Sequence, residues 1–251
     1  MFRKLVFFTL VLAACAPAQE LKVAAAADLD VAMKKVAAAF QQQTGIQLKI
    51  TYGSSGHFFA EIRNGAPFDV FLSADRSYPE TLESFGKTDK SPAIYALGKL
   101  VLWVSYKVPV NPTSGNLDIL TNGAISKVAI ANPEHAPYGR AAVAAMDHYK
   151  VYDRVKPKLV LGENVSQAAQ FAESGNAEAA LIPWSLALSD SMKKSGRFVL
   201  LPQESYPPLY QAAVVLHSSQ YKAQAHRFLD FLRSRAAQKI MLESGFEASG
   251  K

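Results

Sequence analysis

Short apolar segments alternate with helix-length amphipathic segments along nearly the whole chain, and this alternation limits the fold more than any other feature. Leu21–Ala26 reads as a buried strand. Leu29, Met33, Val36 and Phe40 then recur on one face of a helix, with Gly45 as its natural stop. In Ile46–Tyr52, the apolar Ile46, Leu48 and Ile50 alternate with Gln47, Lys49 and Thr51, the period of a strand. Asp69–Ser73 reads as a strand and Pro79–Phe85 as a helix. Further strands are expected at Lys99–Ser105, Lys127–Ala131, Lys158–Leu161, Ala179–Ile182 and Gln211–Leu216. Helices are expected at Gly139–Tyr149 and Asn164–Ser174, and in a segment faced by Tyr221, Ala225, Phe228, Leu229 and Leu232. Strands and helices joined by short connections predict an α/β class with mainly parallel sheets flanked by helices.

The apolar strands Lys99–Ser105 and Gln211–Leu216 are the clearest boundary signals, the second preceded by the stiff Tyr206-Pro207-Pro208. They divide the chain into one lobe of residues 19–97 plus 212–251 and a second of residues 98–211, so the chain crosses between lobes twice. Residues 1–18 read as a signal peptide: basic Arg3 and Lys4, an apolar run from Leu5 to Ala14, then small residues. That run falls short of the roughly 20 residues a membrane span needs. Ala16-Pro17-Ala18 offers cleavage before Gln19. Leu12-Ala13-Ala14-Cys15 resembles a lipoprotein box that would leave Cys15 lipidated. Either way the expected location is periplasmic. Cys15 is the single cysteine, which rules out an internal disulfide or a thiolate metal cluster. The net charge of +6 includes Arg3 and Lys4, and the remaining excess is too dispersed to suggest nucleic acid.

Four strand-to-helix junctions are rich in small and hydroxyl residues. They are Ala26–Leu29, Tyr52–Gly56, Pro133–Gly139 and Gly162–Ser166. Helix N-termini carry unpaired N–H groups and a partial positive charge, and ligands of open α/β sheets bind beyond the carboxyl ends of the strands. Two junctions from each lobe would frame a cleft that holds a small anion with neutral donors. Each junction alone is as well explained by helix capping. Signals for catalysis are weak. Ser55, His57 and Asp69 lack a nucleophile elbow, and the five histidines (57, 135, 148, 217 and 226) show no metal-ligand spacing. No phosphate-binding loop is present.

The segments VAAAADL (23–29), YGSSG (52–56), NGAPFDVFLSAD (64–75), ANPEHAPYG (131–139) and ENVSQA (163–168), in that order and spacing, resemble the periplasmic molybdate-binding proteins of ABC importers. YALGKLVLW (95–103) and ESGF (243–246) fit as well, so the resemblance covers residues 20–247. It implies a two-lobed periplasmic-binding-protein fold of type II, with two hinge crossovers. It further implies a monomeric, non-enzymatic receptor without a cofactor, which closes on molybdate or tungstate and delivers it to an ABC permease. By position, Ser55 would donate through its hydroxyl and N–H, and Tyr138 and Val165 through their N–H groups. Trp184 falls where some relatives place a ligand-binding tyrosine. Asp28 falls where Ser or Asn is usual, and a carboxylate beside a dianion is repulsive. Its N–H could bind while its side chain caps the following helix, which is the reading preferred from sequence. It could instead be protonated and donate, or the ligand could differ. A ferric ion held by Asp28, Tyr52 and Tyr138, a different oxyanion, and a hydrolase on the same fold are the alternatives.

Overall fold

A computed structural model describes residues 20–113 and 115–248. The signal peptide expected at residues 1–18, with Cys15, lies outside the described residues. Two mixed sheets of five strands each, both flanked by helices, form a two-lobed α/β fold.

In the first sheet, β1 (Glu20–Ala26) lies parallel to β2 (Gln47–Gly53) and to β3 (Val70–Ser73). The order is completed by β10 (Leu209–Val215), antiparallel to β3, and by β4 (Ala93–Gly98) at the edge. The second sheet repeats this plan. β6 (Val128–Ala131) lies parallel to β7 (Leu159–Gly162) and to β8 (Ala179–Pro183). β5 (Leu100–Ser105) then runs antiparallel between β8 and β9 (Gly196–Leu200). Each sheet therefore has three parallel strands whose carboxyl ends lead into helices. Each also has one antiparallel strand from the other end of the chain's excursion.

The inner parallel strands β3, β6 and β8, and β1 from Val23 onward, are buried on both faces, whereas the edge strands β2 and β7 are partly exposed. Val23 and Ala25 of β1 pack with Met33, Val36 and Phe40 of the helix Asp30–Thr44. Ala24, on the opposite face, joins Phe58, Ile62, Phe71, Leu82 and Val214. The helix Asp30–Thr44 ends at Gly45, whose φ of 73° is left-handed, where a side chain would be strained. In the second sheet the Trp103 indole N–H donates to the Met192 carbonyl at 3.0 Å, and its ring leaves no room for a Cβ on Gly196.

Two strands have no counterpart in the sequence reading, β4 and β9. β4 and β5 are separated by Lys99 alone, so residues 93–105 read as one apolar run although the chain changes sheets within it. Gly98 marks this crossover, and a Cβ there would overlap the Tyr138 hydroxyl. β10 begins two residues earlier than the periodicity indicates, directly after Pro207-Pro208. The C-terminal helices Lys222–Leu232 and Arg235–Glu243 pack back onto the first lobe. Phe40 sits between Phe228 and Phe231, with ring centroids 5.1 and 5.4 Å away. Phe40→Ala should lower stability by about 3–5 kcal/mol in urea denaturation, the usual cost of deleting a fully buried aromatic ring; a loss below 1 kcal/mol would contradict this packing.

Candidate functional site

The four junctions converge on one small cavity between the lobes. It is lined by Ala26, Ala27 and Asp28; Gly53, Ser54 and Ser55; Ala74; Ala136, Pro137 and Tyr138; and Asn164 and Val165. No basic side chain lines it. Of the residues singled out from sequence, Asp28, Ser55, Tyr138 and Val165 are brought together here and are buried.

Each junction leaves particular donors free of the protein's own hydrogen bonds. Ser55 opens the helix Ser55–Arg63, so its N–H has no intrahelical acceptor. The Ser55 Oγ accepts from the Ala74 N–H at 3.0 Å, which leaves the hydroxyl proton available as a donor. The preceding Ser54 does not cap its own helix. Its hydroxyl donates across the cleft to the His135 carbonyl at 2.6 Å. The helix Pro137–His148 starts with a proline, which has no N–H, so Tyr138 supplies the first available one. Asn164 caps the helix Val165–Glu173 by accepting from the N–H groups of Ser166 and Gln167. That cap bypasses the Val165 N–H, which lies at the cavity.

Asp28 behaves differently from the expected helix cap. Neither the 3-10 turn Ala27–Leu29 nor the helix Asp30–Thr44 has a side-chain cap. The Asp28 carboxylate is fully buried and accepts from the Gln211 Nε2 at 2.8 Å, and the Tyr138 hydroxyl also bonds to it. Burial, only partly offset by these bonds, pushes the Asp28 carboxyl up to about 7. Its Oδ1 has no hydrogen-bond partner. The Tyr138 and Tyr95 hydroxyls are both raised well above their ordinary value, first by burial and then by the charge of Asp28. The capping reading failed because the side chain is drawn into a buried polar cluster with Gln211, a strand residue that carried no signal in the sequence.

Trp184 is not among the residues lining the cavity. It opens the short helix Trp184–Ala187, and its N–H donates to the Lys99 carbonyl at 2.8 Å. The neighbouring Ser185 reaches the site's frame instead, its hydroxyl donating to the Asp28 carbonyl at 2.7 Å. Tyr52 is also absent from the lining, so the ferric set of Asp28, Tyr52 and Tyr138 does not assemble. The Ser55, His57 and Asp69 set does not assemble either, because Asp69 is tied to the Lys22 N–H and the Ser219 hydroxyl.

The lobes meet through further contacts around the cavity. The Gly56 N–H donates to the His135 carbonyl at 2.9 Å, and Arg140 pairs with Asp75. The imidazole of His57 stacks on that of His135 with centroids 3.9 Å apart, and its Nδ1 lies 2.7 Å from the Glu163 Oε1. Burial, then the neighbouring His57, lowers the His135 pKa below its usual value.

Comparison with known proteins places this arrangement. The profile of the family described as bacterial extracellular solute-binding protein matches residues 21–247. The molybdate-binding protein ModA of Rhodobacter capsulatus is 38% identical over 94% of this chain and 91% of its own. ModA of Azotobacter vinelandii is 36% identical over 94% of this chain and 92% of its own. The solved Azotobacter vinelandii periplasmic molybdate-binding protein superposes with a TM-score of 0.85 at 32% identity, covering 92% of this chain and all of that one. The sulfate-binding protein SubI from Mycobacterium tuberculosis H37Rv, 18% identical with a TM-score of 0.77, covers 92% of this chain and 87% of its own and shares the fold. With two lobes, a cavity between them and relatives of this similarity over nearly its whole length, the chain belongs to the bacterial extracellular solute-binding protein family.

Proposed function

We propose that this protein captures molybdate or tungstate between its lobes and delivers the anion to an ABC permease. Residues 20–98 plus 209–248 would act as one lobe and 100–200 as the other, moving about the crossovers at Lys99 and at residues 201–208. The carrying observation is the convergence of helix N-termini from both lobes on one buried cavity with no basic side chain. Such a site suits a tetrahedral oxyanion, whose oxygens accept from fixed N–H and O–H groups without a buried counter-charge that would itself need desolvation. Fixed donors also select by size, which would set molybdate apart from the smaller sulfate. The names of the Rhodobacter and Azotobacter relatives support the same ligand. Export to the periplasm follows from the leader, with Cys15 either removed or lipidated. Among the described residues no helix is long and apolar enough to cross a membrane.

Asp28 fits this function as a neutral acid. A protonated carboxyl can keep the Gln211 and Tyr138 bonds on one oxygen and donate from the other toward the anion. In this role it resembles a buried amide more than a repelling charge.

Calorimetry should give a Kd of about 1 μM or tighter for molybdate, equivalent to roughly −8 kcal/mol, with little heat from sulfate or phosphate. A protein that binds sulfate as tightly as molybdate would refute the assignment. Ser55→Ala removes a donor and strands the Ala74 N–H, so affinity should fall by about 1–3 kcal/mol, or roughly ten- to a hundredfold.

Anion binding favours protonated Asp28, whose carboxyl sits at about 7, so affinity should hold below that pH and decline above it. The decline should approach tenfold per pH unit. Asp28→Asn should flatten the profile while keeping tight binding. Parallel profiles for the two proteins would show that only the backbone of Asp28 matters. The same carboxyl makes folding less favourable as pH rises from its ordinary 3.8 toward 7, because only the unfolded chain ionises freely there.

A Cβ on Gly56 would stand 2.5 Å from the His135 carbonyl oxygen and 2.6 Å from the Tyr78 hydroxyl. Gly56→Ala should therefore hold the lobes apart without unfolding either one. Small-angle scattering should show compaction on adding molybdate in the wild type and little or none in the variant.

A further inference from the structure

The rim of the cleft carries a second constellation that anion capture does not use. His57 comes from the first turn of the helix Ser55–Arg63 in one lobe. His135 and Glu163 come from two junctions of the other. Each of the three offers one ligand atom, and these atoms lie within 4.8 Å of one another. We propose that His57, His135 and Glu163 form a divalent transition-metal site, of the zinc class, that bridges the lobes at the cleft rim and links metal occupancy to closure.

The surroundings prepare His135 for this role. The single hydroxyl proton of Ser54 goes to the His135 carbonyl at 2.6 Å. The same Oγ lies 3.0 Å from the His135 Nδ1, so it can only accept there, which places the imidazole proton on Nδ1. The Nε2 is left with a bare lone pair. A metal-binding histidine has its tautomer and ring orientation fixed in this way by a partner on its other nitrogen. Glu163 is held through its backbone, its N–H donating to the Gln167 side chain at 2.7 Å.

Two imidazoles and a carboxylate suit zinc, nickel or copper, and do not suit calcium or magnesium, which take oxygen ligands. Ligand atoms around a tetrahedral zinc stand about 3.3 Å apart, so the widest separation has to close by up to about 1.5 Å while the His57–Glu163 contact of 2.7 Å opens slightly to admit the metal. The side chains of His57 and Glu163 are 45% and 56% exposed, which leaves them free to make that adjustment and leaves an open face for water. Without a metal, the exposed His57–Glu163 pair binds the lobes only weakly. The site sits apart from the oxyanion cavity, whose lining includes none of the three. The site itself is independent of the oxyanion assignment, whereas its coupling to closure rests on the function proposed above.

The test is calorimetric titration of Zn²⁺ into untagged, chelator-stripped protein, with and without molybdate. Co²⁺ absorption in the visible range reports the coordination. About one zinc per chain is expected, bound at least tenfold more weakly by both His57→Ala and Glu163→Gln. Molybdate should tighten zinc binding by the same factor by which zinc tightens molybdate binding, and only in the wild type. Molybdate affinity measured in chelator confirms that the variants are folded. Absence of stoichiometric zinc binding overturns the proposal, as does zinc binding that survives both substitutions. Zinc binding indifferent to a molybdate that does bind overturns the bridging. A protein that takes up zinc at these residues but shows no response to molybdate would instead count against the oxyanion assignment alone.

Discussion

The unpaired N–H groups at helix starts are the constraint on which the rest of the molecule depends. Any α-helix leaves four such donors at its first turn, and a protein must satisfy them or leave them in water. Here three helices and one 3-10 turn follow parallel strands, directly or after a connection of at most five residues, so their first turns gather at the carboxyl ends of two sheets. The repeated sheet plan, three parallel strands beside one antiparallel strand, points both sets of junctions at the same gap. Capping within that gap is selective. Asn164 satisfies the second and third donors of its helix and leaves the first. Pro137 removes a donor that would have been redundant. Ser54 turns its hydroxyl to the other lobe, leaving its helix uncapped.

The cluster beneath the cavity shows the cost of placing an acid in such a setting. Asp28, Tyr138, Tyr95 and Gln211 are enclosed together, and the unpartnered atoms Asp28 Oδ1, Tyr95 Oη and Gln211 Oε1 concentrate there. A charged carboxylate would be poorly solvated in this cluster and would repel an incoming dianion. In the proposed function, a neutral one would donate to the anion through Oδ1 while still accepting from Gln211 and Tyr138. The neighbouring Tyr95 and Tyr138 hydroxyls are raised first by burial and then by the charge of Asp28.

Much of this was legible in the sequence. Strand and helix periods placed the four junctions, and the physics of helix ends marked them as anion sites. Within those junctions the family resemblance singles out Asp28, Ser55, Tyr138 and Val165, and all four line the one cavity. What remained hidden depends on contacts between distant segments. Gln211 is a polar residue in a strand, with no local feature to connect it to Asp28. β4 has no counterpart in the sequence reading, because a single residue separates it from β5 although the two strands belong to different sheets. Trp184 was placed at the ligand by alignment, but backbone bonding to Lys99 fixes it at the start of its helix, away from the cavity lining. His57 and His135 lie far apart in sequence, so no spacing rule could have paired them.

The proposed closure would follow from how weak the direct contacts between lobes are. They include the Arg140–Asp75 pair, the Tyr138 hydroxyl to the Asp28 carboxyl, and neutral bonds to backbone carbonyls from Ser54 and Gly56 to His135 and from Ser185 to Asp28. Each of these neutral bonds contributes about 1 kcal/mol net, because the same groups are hydrated when the lobes part. Closing without an anion would also bury the junction N–H groups with nothing to accept from them, at about 1–3 kcal/mol for each. These terms oppose one another, so the closed form is poorly favoured by itself. An oxyanion that accepts from both lobes removes the penalty and keeps the modest interlobe bonds. The ligand then shifts the population by satisfying donors that closure would otherwise strand. Release needs only that the lobes be separated far enough for water to reach those donors again.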